Sequence, residues 1–235
     1  MIPRTKKEYL RQLVTEKNRT FRLLSAEERA LGFRGWHERG YLPHCDYPGL
    51  VQFVTFRLWD SLPESRRGEW LHMLSIEDAR IKRAKLERYL DRGIGACLLR
   101  DRRVATVAER ALTHFHLDRY ELLAWAVMPN HVHVLVHVWN APLARMVQSW
   151  KTFAARHANE ILGRHGRFWE PEYWDTFMRD ERQERIAVRY IEQNPVKANL
   201  CRAPEDGSFG SARFRDPRTE ALAWTTGART SRSAR

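Results

Sequence analysis

The 235-residue sequence has few cysteines, no long apolar run and no recognisable secretion signal. Its three cysteines, Cys45, Cys97 and Cys201, lie far apart and form no CxxC pair, which is typical of reduced thiols in a cytosolic protein. No apolar run approaches the roughly 20 residues that are needed to span a bilayer. The opening stretch MIPRTKKEYLRQLV lacks the apolar centre of a signal peptide. We therefore expect a cytoplasmic protein.

Acidic residues are also in the minority. The chain has 29 Asp and Glu against 41 Lys and Arg, which gives a formal net charge of +12 and a pI near 10.1. A globular chain with this excess of positive charge usually binds a polyanion, so nucleic acid is the leading partner class and an anionic membrane surface the second. The 43% hydrophobic content, with 9 Trp and 10 Phe, is enough for the core of one sizeable domain.

The most informative stretch is MPNHVHVLVHV, residues 128–138, because its period is two. This period puts His131, His133 and His137 on one face of a strand and four valines on the other, which we predict to be the buried face. Alternate residues of a strand are roughly 6.5–7 Å apart, so the imidazoles of His131 and His133 can bind one divalent ion at about 2.1 Å. The alternative is a hairpin whose exposed face is merely rich in histidine.

The rest of the pattern predicts a mixed α and β chain. Strands are expected at 51–58, at 121–127 and within 166–180, and helices at 64–92, 104–116, 142–161 and 180–194. In the helix that follows Pro142, Trp150 and His157 fall on the apolar stripe, so we expect both to be core residues. Pro195 should end or bend the last helix.

That last helix carries Tyr190, with Asn194 one turn further on. If it lies beside the histidine strand, the Asn194 oxygen and the two imidazoles provide mixed N/O ligation with open positions, which suits Mg²⁺ or Mn²⁺ bound to a phosphate. Such an ion would polarise the phosphoryl group, and the Tyr190 phenol could attack it to form a covalent intermediate. Tyr190 on its own is equally a core packing residue, and only the joint pattern favours a nucleophile.

Four stretches of the chain carry a family resemblance. In order they are GYLPHCDYPGLVQFVTFRLWDSLP, AWAVMPNHVHVLV, GRFWEPEYWDTFMRD and IAVRYIEQNPVKANL, and they cover most of residues 36–201. They resemble the HUH single-strand DNA transposases and, among these, the REP-associated tyrosine transposases. The resemblance implies an α+β fold: a ferredoxin-like HUH domain with a central antiparallel sheet and helices packed on it.

The resemblance also implies roles for individual residues. His131 and His133 match the paired metal-binding histidines, and Tyr190 matches the nucleophile that attacks single-stranded DNA and leaves a 5′-phosphotyrosine link. The implied substrates are palindromic repeats that fold as hairpins, and the implied cofactor is Mg²⁺ or Mn²⁺. Related single-strand transposases often carry Gln four residues after the tyrosine, where this chain has Asn194 as the candidate third ligand.

Three segments follow from this interpretation. We expect an N-terminal helical extension at 1–35, an HUH tyrosine transposase domain at 36–201 and a basic, disordered tail at 202–235, which has little to bury. Basic side chains of the domain are candidates for DNA contacts, namely Lys151, Arg189 and Lys197. His137 is expected to be a neighbouring polar or DNA-contacting group.

The expected partner is single-stranded or hairpin DNA and not a membrane, while a monomer and a dimer are both compatible with the sequence. Two other functions remain open at this point. One is a protein that binds hairpin DNA but whose catalysis has decayed. The other is a metal-dependent phosphodiesterase in which activated water, and not Tyr190, is the nucleophile.

Overall fold

A four-stranded antiparallel sheet organises the computed structural model, which describes residues 22–39, 42–62, 65, 67–76, 79–216, 218–219 and 221–223. The strands are β1 (Gly35–Arg39), β2 (Leu42–Asp46), β3 (Val51–Arg57), β4 (Tyr120–Val127), β5 (His131–Val138) and β6 (Trp174–Phe177). The helices are α1 (Ala26–Ala30), α2 (Arg67–Leu74), α3 (Ala79–Leu90), α4 (Arg102–Thr113), α5 (Leu143–Ile161) and α6 (Glu181–Lys197).

The strand order of the main sheet is β4-β5-β3-β6, and every neighbouring pair is antiparallel. Helix α4 precedes β4, and α5 connects β5 to β6, so the chain follows the βαββαβ path of a ferredoxin-like domain. β1 and β2 form a separate hairpin. The predicted α+β fold class, with a central antiparallel sheet and helices packed on it, is confirmed.

The two faces of the sheet bury different residues. The valine row of β5 packs into the main core, which also includes Trp125 of β4 and Trp150 of α5. On the opposite face, Ile191 of α6 packs against Phe53 and Leu135. All eight residues of β5 are therefore buried. The alternative of an exposed, histidine-rich face is wrong, because α6 covers that face.

Two expectations for the helices need correction. Trp150 is buried as predicted, but the His157 side chain is 38% exposed and its Nδ1 lies 2.9 Å from Glu160 Oε2. The buried stripe runs through Ala154 and Ala158 and leaves His157 beside it. Helix α6 also does not end at Pro195, which was one of the two effects expected of this proline, but continues to Lys197. A proline so near a helix end removes only one donor, so the last turn still forms.

The segment that follows α6 is folded, so the predicted start of a disordered tail at residue 202 is wrong. Ser211 is fully buried, and its Oγ accepts from Trp125 N and donates to Glu192 Oε1. The Phe209 carbonyl accepts from Val127 N at 2.9 Å. β4 is an edge strand of the main sheet, and edge amides need partners when they are covered. The segment 207–216 supplies those partners.

The ends of the chain lie outside the described residues. The N-terminal extension is described only from residue 22. Its short helix α1 (Ala26–Ala30) begins with a capping box between Ser25 and Glu28. Residues 224–235 of the predicted tail also fall outside it. No helix of the described ranges combines the length and the apolarity needed to cross a membrane.

A truncation tests the role of the segment after α6. Ending the chain after Leu200 should lower the free energy of unfolding by on the order of 3 kcal/mol, because Glu192 and the edge amides of β4 lose their partners. Ending it after Ala223 keeps the contacts made by Ser211 and Phe209 and should cost much less. Urea unfolding of both proteins measures this, and equal stabilities would contradict the role of the segment.

Candidate active site

Two histidines of β5 meet at one point above the sheet. His131 pairs with Arg57 and His133 with Thr55 of the neighbouring strand β3. The Nε2 atoms of the two rings are 3.0 Å apart, and the residues are 1% and 0% exposed. The period of two therefore brings both imidazoles together, as the sequence predicts, but inside the protein.

The outer ring nitrogens are held by hydrogen bonds. Asn130 Nδ2 donates to the carbonyls of Leu90 and Ile94, so its Oδ1 accepts from His131 Nδ1 at 2.7 Å. His133 Nδ1 lies 2.8 Å from Thr55 Oγ1. A proton on Nδ1 leaves the lone pair on Nε2, and such outer partners commonly fix the tautomer of histidine ligands. The two Nε2 atoms thus face one shared space.

Asp91 completes this group, and the sequence interpretation missed it. Among the residues that the structure describes, Asp91, His131 and His133 form a cluster whose ligand atoms all lie within 4.8 Å of one another. Asp91 Oδ1 is 3.9 Å from His131 Nε2. Burial and the nearby charge of Glu87 raise the pKa of Asp91 to about 6, while Lys197 acts in the opposite direction.

A glycine turn after α3 brings Asp91 to this position. Gly93 and Gly95 both have positive φ, and a Cβ on Gly95 would lie 2.6 Å from the Asp60 carbonyl oxygen. Only glycine fits such a close approach without strain. No spacing in the sequence connects Asp91 with the much later histidines, so pattern analysis had no signal for it.

Tyr190 reaches the same site from α6. Its ring centroid is 5.7 Å from that of His133 and 5.8 Å from that of Phe53. Burial, and after it the charge of Glu87, hold the pKa of Tyr190 well above its usual value near 10, although a hydrogen bond with Asn194 acts the other way. The phenol is therefore protonated at neutral pH. Lys197 Nζ lies 4.8 Å from the ring centroid.

Asn194 is fully buried one turn after Tyr190. Its Nδ2 donates to the Tyr190 carbonyl at 3.1 Å, and its buried Oδ1 has no hydrogen-bond partner in the described ranges. Asp91 Oδ1 is a second buried oxygen without a hydrogen bond in those ranges. A buried oxygen without a hydrogen bond lowers the free energy of unfolding by about 1–3 kcal/mol. A bound cation or water would therefore stabilise each of these two atoms.

The predicted DNA-contacting residues fall in different places. Lys197 lies beside Tyr190, and Arg189 is exposed on the same helix. Lys151 is on α5, on the opposite face of the sheet, and its ammonium donates to the carbonyls of Glu170 and Pro171.

His137 does not have the position expected of a DNA-contacting group. It is 2% exposed, and its Nδ1 lies 3.6 Å from Glu121 Oε2. Of the two expected roles, that of a neighbouring polar group is the one this position fits.

Comparison with known proteins tests the resemblance to single-strand DNA transposases that was inferred from the sequence. Residues 100–194 match the family model described as IS200-like transposase. The resemblance to the tyrosine transposases is confirmed. The segment that matches the transposase model includes His131, His133 and Tyr190 and ends at Asn194, whereas Asp91 lies before it.

One curated relative is the REP-associated tyrosine transposase of Escherichia coli (strain K12), which is 27% identical over 94 residues. The match covers 39% of this chain and 54% of the relative, so the chain spans about half the length of that transposase.

Two solved structures are also similar. A REP-associated tyrosine transposase bound to a REP hairpin is 18% identical, with a TM-score of 0.44 and coverage of 80% of this chain and 90% of the other. A putative transposase from Deinococcus radiodurans R1 is 19% identical, with a TM-score of 0.31 and coverage of 67% and 96%.

The burial of His131 predicts a pH-dependent stability in metal-free protein. Burial lowers the pKa of His131 from 6.5 to about 3. The unfolded chain takes up this proton near pH 6.5 and the folded chain does not, so stability should be full above pH 6.5 and fall as the pH decreases. The loss should be roughly 3 kcal/mol between about pH 6.5 and pH 4, at about 1.4 kcal/mol per pH unit.

Urea unfolding in EDTA across this range measures the loss. His131→Gln should flatten the slope, whereas His165→Gln, at an exposed position, should leave it unchanged. Parallel slopes for wild type and His131→Gln would contradict the assigned burial effect.

Proposed function

We propose that this protein is a metal-dependent single-strand DNA endonuclease and transposase that nicks and rejoins hairpin-forming palindromic DNA. A 5′-phosphotyrosine link to Tyr190 is the intermediate. The observation that carries the proposal is the meeting of Tyr190 with His131 and His133 in one buried polar site. The match of residues 100–194 to IS200-like transposases supports the same reaction class, and the resemblance to REP-associated transposases supports a hairpin substrate.

The side chains of this site fit a divalent cation. Two imidazole Nε2 atoms face each other at 3.0 Å, and the Oδ1 atoms of Asp91 and Asn194 are buried without hydrogen bonds in the described part of the chain. His131 and His133 would hold the ion with one or both of these oxygens. This mixed N/O set suits Mg²⁺ or Mn²⁺. When bound, the ion would supply Lewis-acid polarisation of the scissile phosphate.

Tyr190 would act as the nucleophile. Glu87 is close enough to the phenol to raise its pKa, and its carboxylate would accept the proton as the phenol oxygen attacks phosphorus. The new Oη–P bond forms while the P–O3′ bond breaks, and the leaving 3′ oxygen takes up a proton. The products are a 5′-phosphotyrosine link and a free 3′-hydroxyl. Attack by a 3′-hydroxyl in the reverse direction rejoins the strand, and Lys197 beside the ring favours the developing negative charge.

An exposed aromatic side chain close to the site supports a single-stranded substrate. Trp59 is 46% exposed, and the guanidinium of Arg167 lies 4.0 Å from its ring centroid. The neighbouring Leu58 donates its amide to the carbonyl of Asn130, the residue before His131. Unpaired bases stack on such aromatic platforms, and paired bases do not. Trp59 would therefore offer an unpaired base near the site an exposed ring to stack on.

Water as the nucleophile is the second candidate, and one observation favours it. The carboxyl of Asp91, with a pKa of about 6, could act as a general base near neutral pH. In that reaction the cleaved strand would carry a free 5′-phosphate and no protein.

Tyr190→Phe separates these reactions. It keeps the ring packed against His133 and Phe53 and removes only the hydroxyl. We expect normal folding and DNA binding with no covalent adduct and no nick. Denaturing gel electrophoresis of labelled single-stranded palindromes measures both, and Tyr120→Phe, at a tyrosine buried on the other side of the sheet, controls for a lost buried hydroxyl. Wild-type nicking by Tyr190→Phe would exclude Tyr190 and leave water as the nucleophile.

Metal binding should depend on the four candidate ligands to different degrees. His131→Ala or His133→Ala should abolish Mn²⁺ binding, because one imidazole cannot hold the ion. Asp91→Asn should weaken it strongly, since it removes the anionic oxygen. Asn194→Ala should weaken it mildly, because water can replace a neutral amide oxygen.

Calorimetric titration ranks the variants by their Mn²⁺ affinity, and a melting curve for each variant measures its stability. Asp118→Asn, at an exposed acid, is the matched control for Asp91→Asn. An Asn194→Ala protein with unchanged Mn²⁺ affinity and a lowered melting temperature would remove Asn194 from the site and leave it a purely structural role in α6.

A further inference from the structure

A group of polar side chains ties α6 to the segment that follows it. Glu192 Oε1 accepts from Ser211 Oγ at 2.6 Å and from Arg215 Nε at 2.8 Å. Ser211 is fully buried, and the side chains of Glu192 and Arg215 are only 12% and 19% exposed. Hydrogen bonds of this kind are stronger where water is largely excluded. We refer to these three residues as the Glu192 clamp.

The other end of the clamp is attached to β4. Ser211 Oγ accepts from Trp125 N at 3.1 Å, and the Arg215 guanidinium donates to the Leu123 carbonyl. The register of β4 shifts at Leu123, which is skipped in the pairing with β5. The extra residue of such an irregularity is left unpaired by the neighbouring strand, so its carbonyl is available to Arg215. The clamp therefore connects α6 to one defined place on the sheet.

A second carboxylate fixes the segment that carries the clamp. Glu109 of α4 accepts from Arg213 Nη2 at 2.6 Å and from Trp125 Nε1 at 2.8 Å. Arg213 lies between Ser211 and Arg215 in the chain, so a shift of either clamp residue would disturb its ion pair with Glu109. The segment is thus held by α4 as well as by α6.

The apolar contacts of α6 define its position less sharply than the clamp does. Ala187 and Ile191 of the helix lie in one cluster with Ala124 and Ala126 of β4. Apolar burial is non-directional, and an alanine has no branches that interlock with a neighbour. Hydrogen bonds, in contrast, have preferred distances and angles. The clamp therefore supplies a positional constraint that the alanine contacts do not.

The clamp and the candidate nucleophile lie on the same turn of α6. Glu192 follows Tyr190 by two residues, so at about 100° per residue the two side chains leave the helix about 200° apart. Tyr190 faces His133 and Phe53, whereas Glu192 faces the segment after the helix. Because the backbone between them is helical, a rotation or shift of α6 at Glu192 also moves Tyr190.

We propose that Glu192 is a positioning residue for the attack by Tyr190. Ser211 and Arg215 act through it, by holding α6 where the phenol reaches a phosphate bound at the histidine pair. This inference rests on the proposed function and adds a group that touches neither the DNA nor the metal ion. A misplacement of about 1 Å can slow a reaction by about 100-fold. Loss of the clamp should therefore act on the rate of attack and not on binding.

Two variants of the full-length protein test this role. Glu192→Ala removes the acceptor of both clamp bonds. Arg215→Lys keeps the charge but replaces the planar guanidinium, whose Nε and Nη2 bond Glu192 and Leu123 at once. The matched controls, Glu181→Ala and Arg185→Lys, make the same changes in an exposed ion pair of α6. A labelled single-stranded palindrome, excess protein and Mn²⁺ give the rate constant and the final amount of adduct in a single turnover.

Both clamp variants should form the adduct about 10- to 100-fold more slowly than wild type. Their final amount of adduct should equal that of wild type, and their affinities for the palindrome and for Mn²⁺ should equal those of the matched controls. A purely structural role would have the opposite signature. It would lower the folded fraction, and with it the amount of adduct, while the folded molecules would react with the wild-type rate constant.

A second measurement does not depend on the reaction. Incorporated 3-fluorotyrosine gives fluorine NMR signals, and Tyr190→Phe identifies the signal of Tyr190. Glu192→Ala should shift this signal, because the ring moves relative to His133 and Phe53, whereas Glu181→Ala should leave it in place.

An unchanged Tyr190 signal in Glu192→Ala would overturn the positioning role, and so would wild-type rate constants for both clamp variants. A shifted signal, in a protein that forms no Tyr190 adduct even as wild type, would overturn the proposed reaction instead. In that case Glu192 would still be the residue that sets the position of the ring.

Discussion

The burial of a polar site beneath α6 is the constraint on which the rest of the structure depends. β5 carries apolar valines on one face and histidines on the other, and both faces are covered. Imidazole and amide groups are costly to bury unless each polar atom is paired. Asn130 and Thr55 pair the outer nitrogens of the two rings. The inner nitrogens and the nearby oxygens are left facing each other, which is an arrangement that a cation stabilises.

Two segments outside the transposase match help to complete this site. The helix α3 and its glycine turn deliver Asp91 and Glu87, which add negative charge next to Tyr190. The segment after α6 holds that helix through Ser211 and Arg215, both of which contact Glu192, two residues after Tyr190. The position of the tyrosine therefore depends on residues before and after the matched range 100–194.

The sequence predicts the elements with strong periodicity. The period of two in β5 and the apolar stripes of α5 and α6 are local patterns, so the mixed α and β elements and the meeting of His131 with His133 could be anticipated from them. The ferredoxin-like fold and the place of Tyr190 beside the histidines were implied by the family resemblance. Asp91 could not be anticipated, because its role depends on a glycine turn whose path no local pattern specifies. The order of residues 202–216 was also hidden, because it comes from hydrogen bonds to the edge of β4 and not from apolar content. The burial of His137 was not anticipated, because the covering of a sheet face is a tertiary effect.

In the proposed reaction, Tyr190 itself becomes covalently bound to the cleaved DNA strand. Mass spectrometry of the trypsin-digested protein, after incubation with a single-stranded palindrome and Mn²⁺, tests this directly. Cleavage after Arg189 and Lys197 isolates the peptide 190–197, YIEQNPVK, in which Tyr190 is the only tyrosine. We expect this peptide to carry a nucleotide that is linked through its 5′-phosphate. Cleaved DNA with a free 5′-phosphate, together with an entirely unmodified 190–197 peptide, would contradict it.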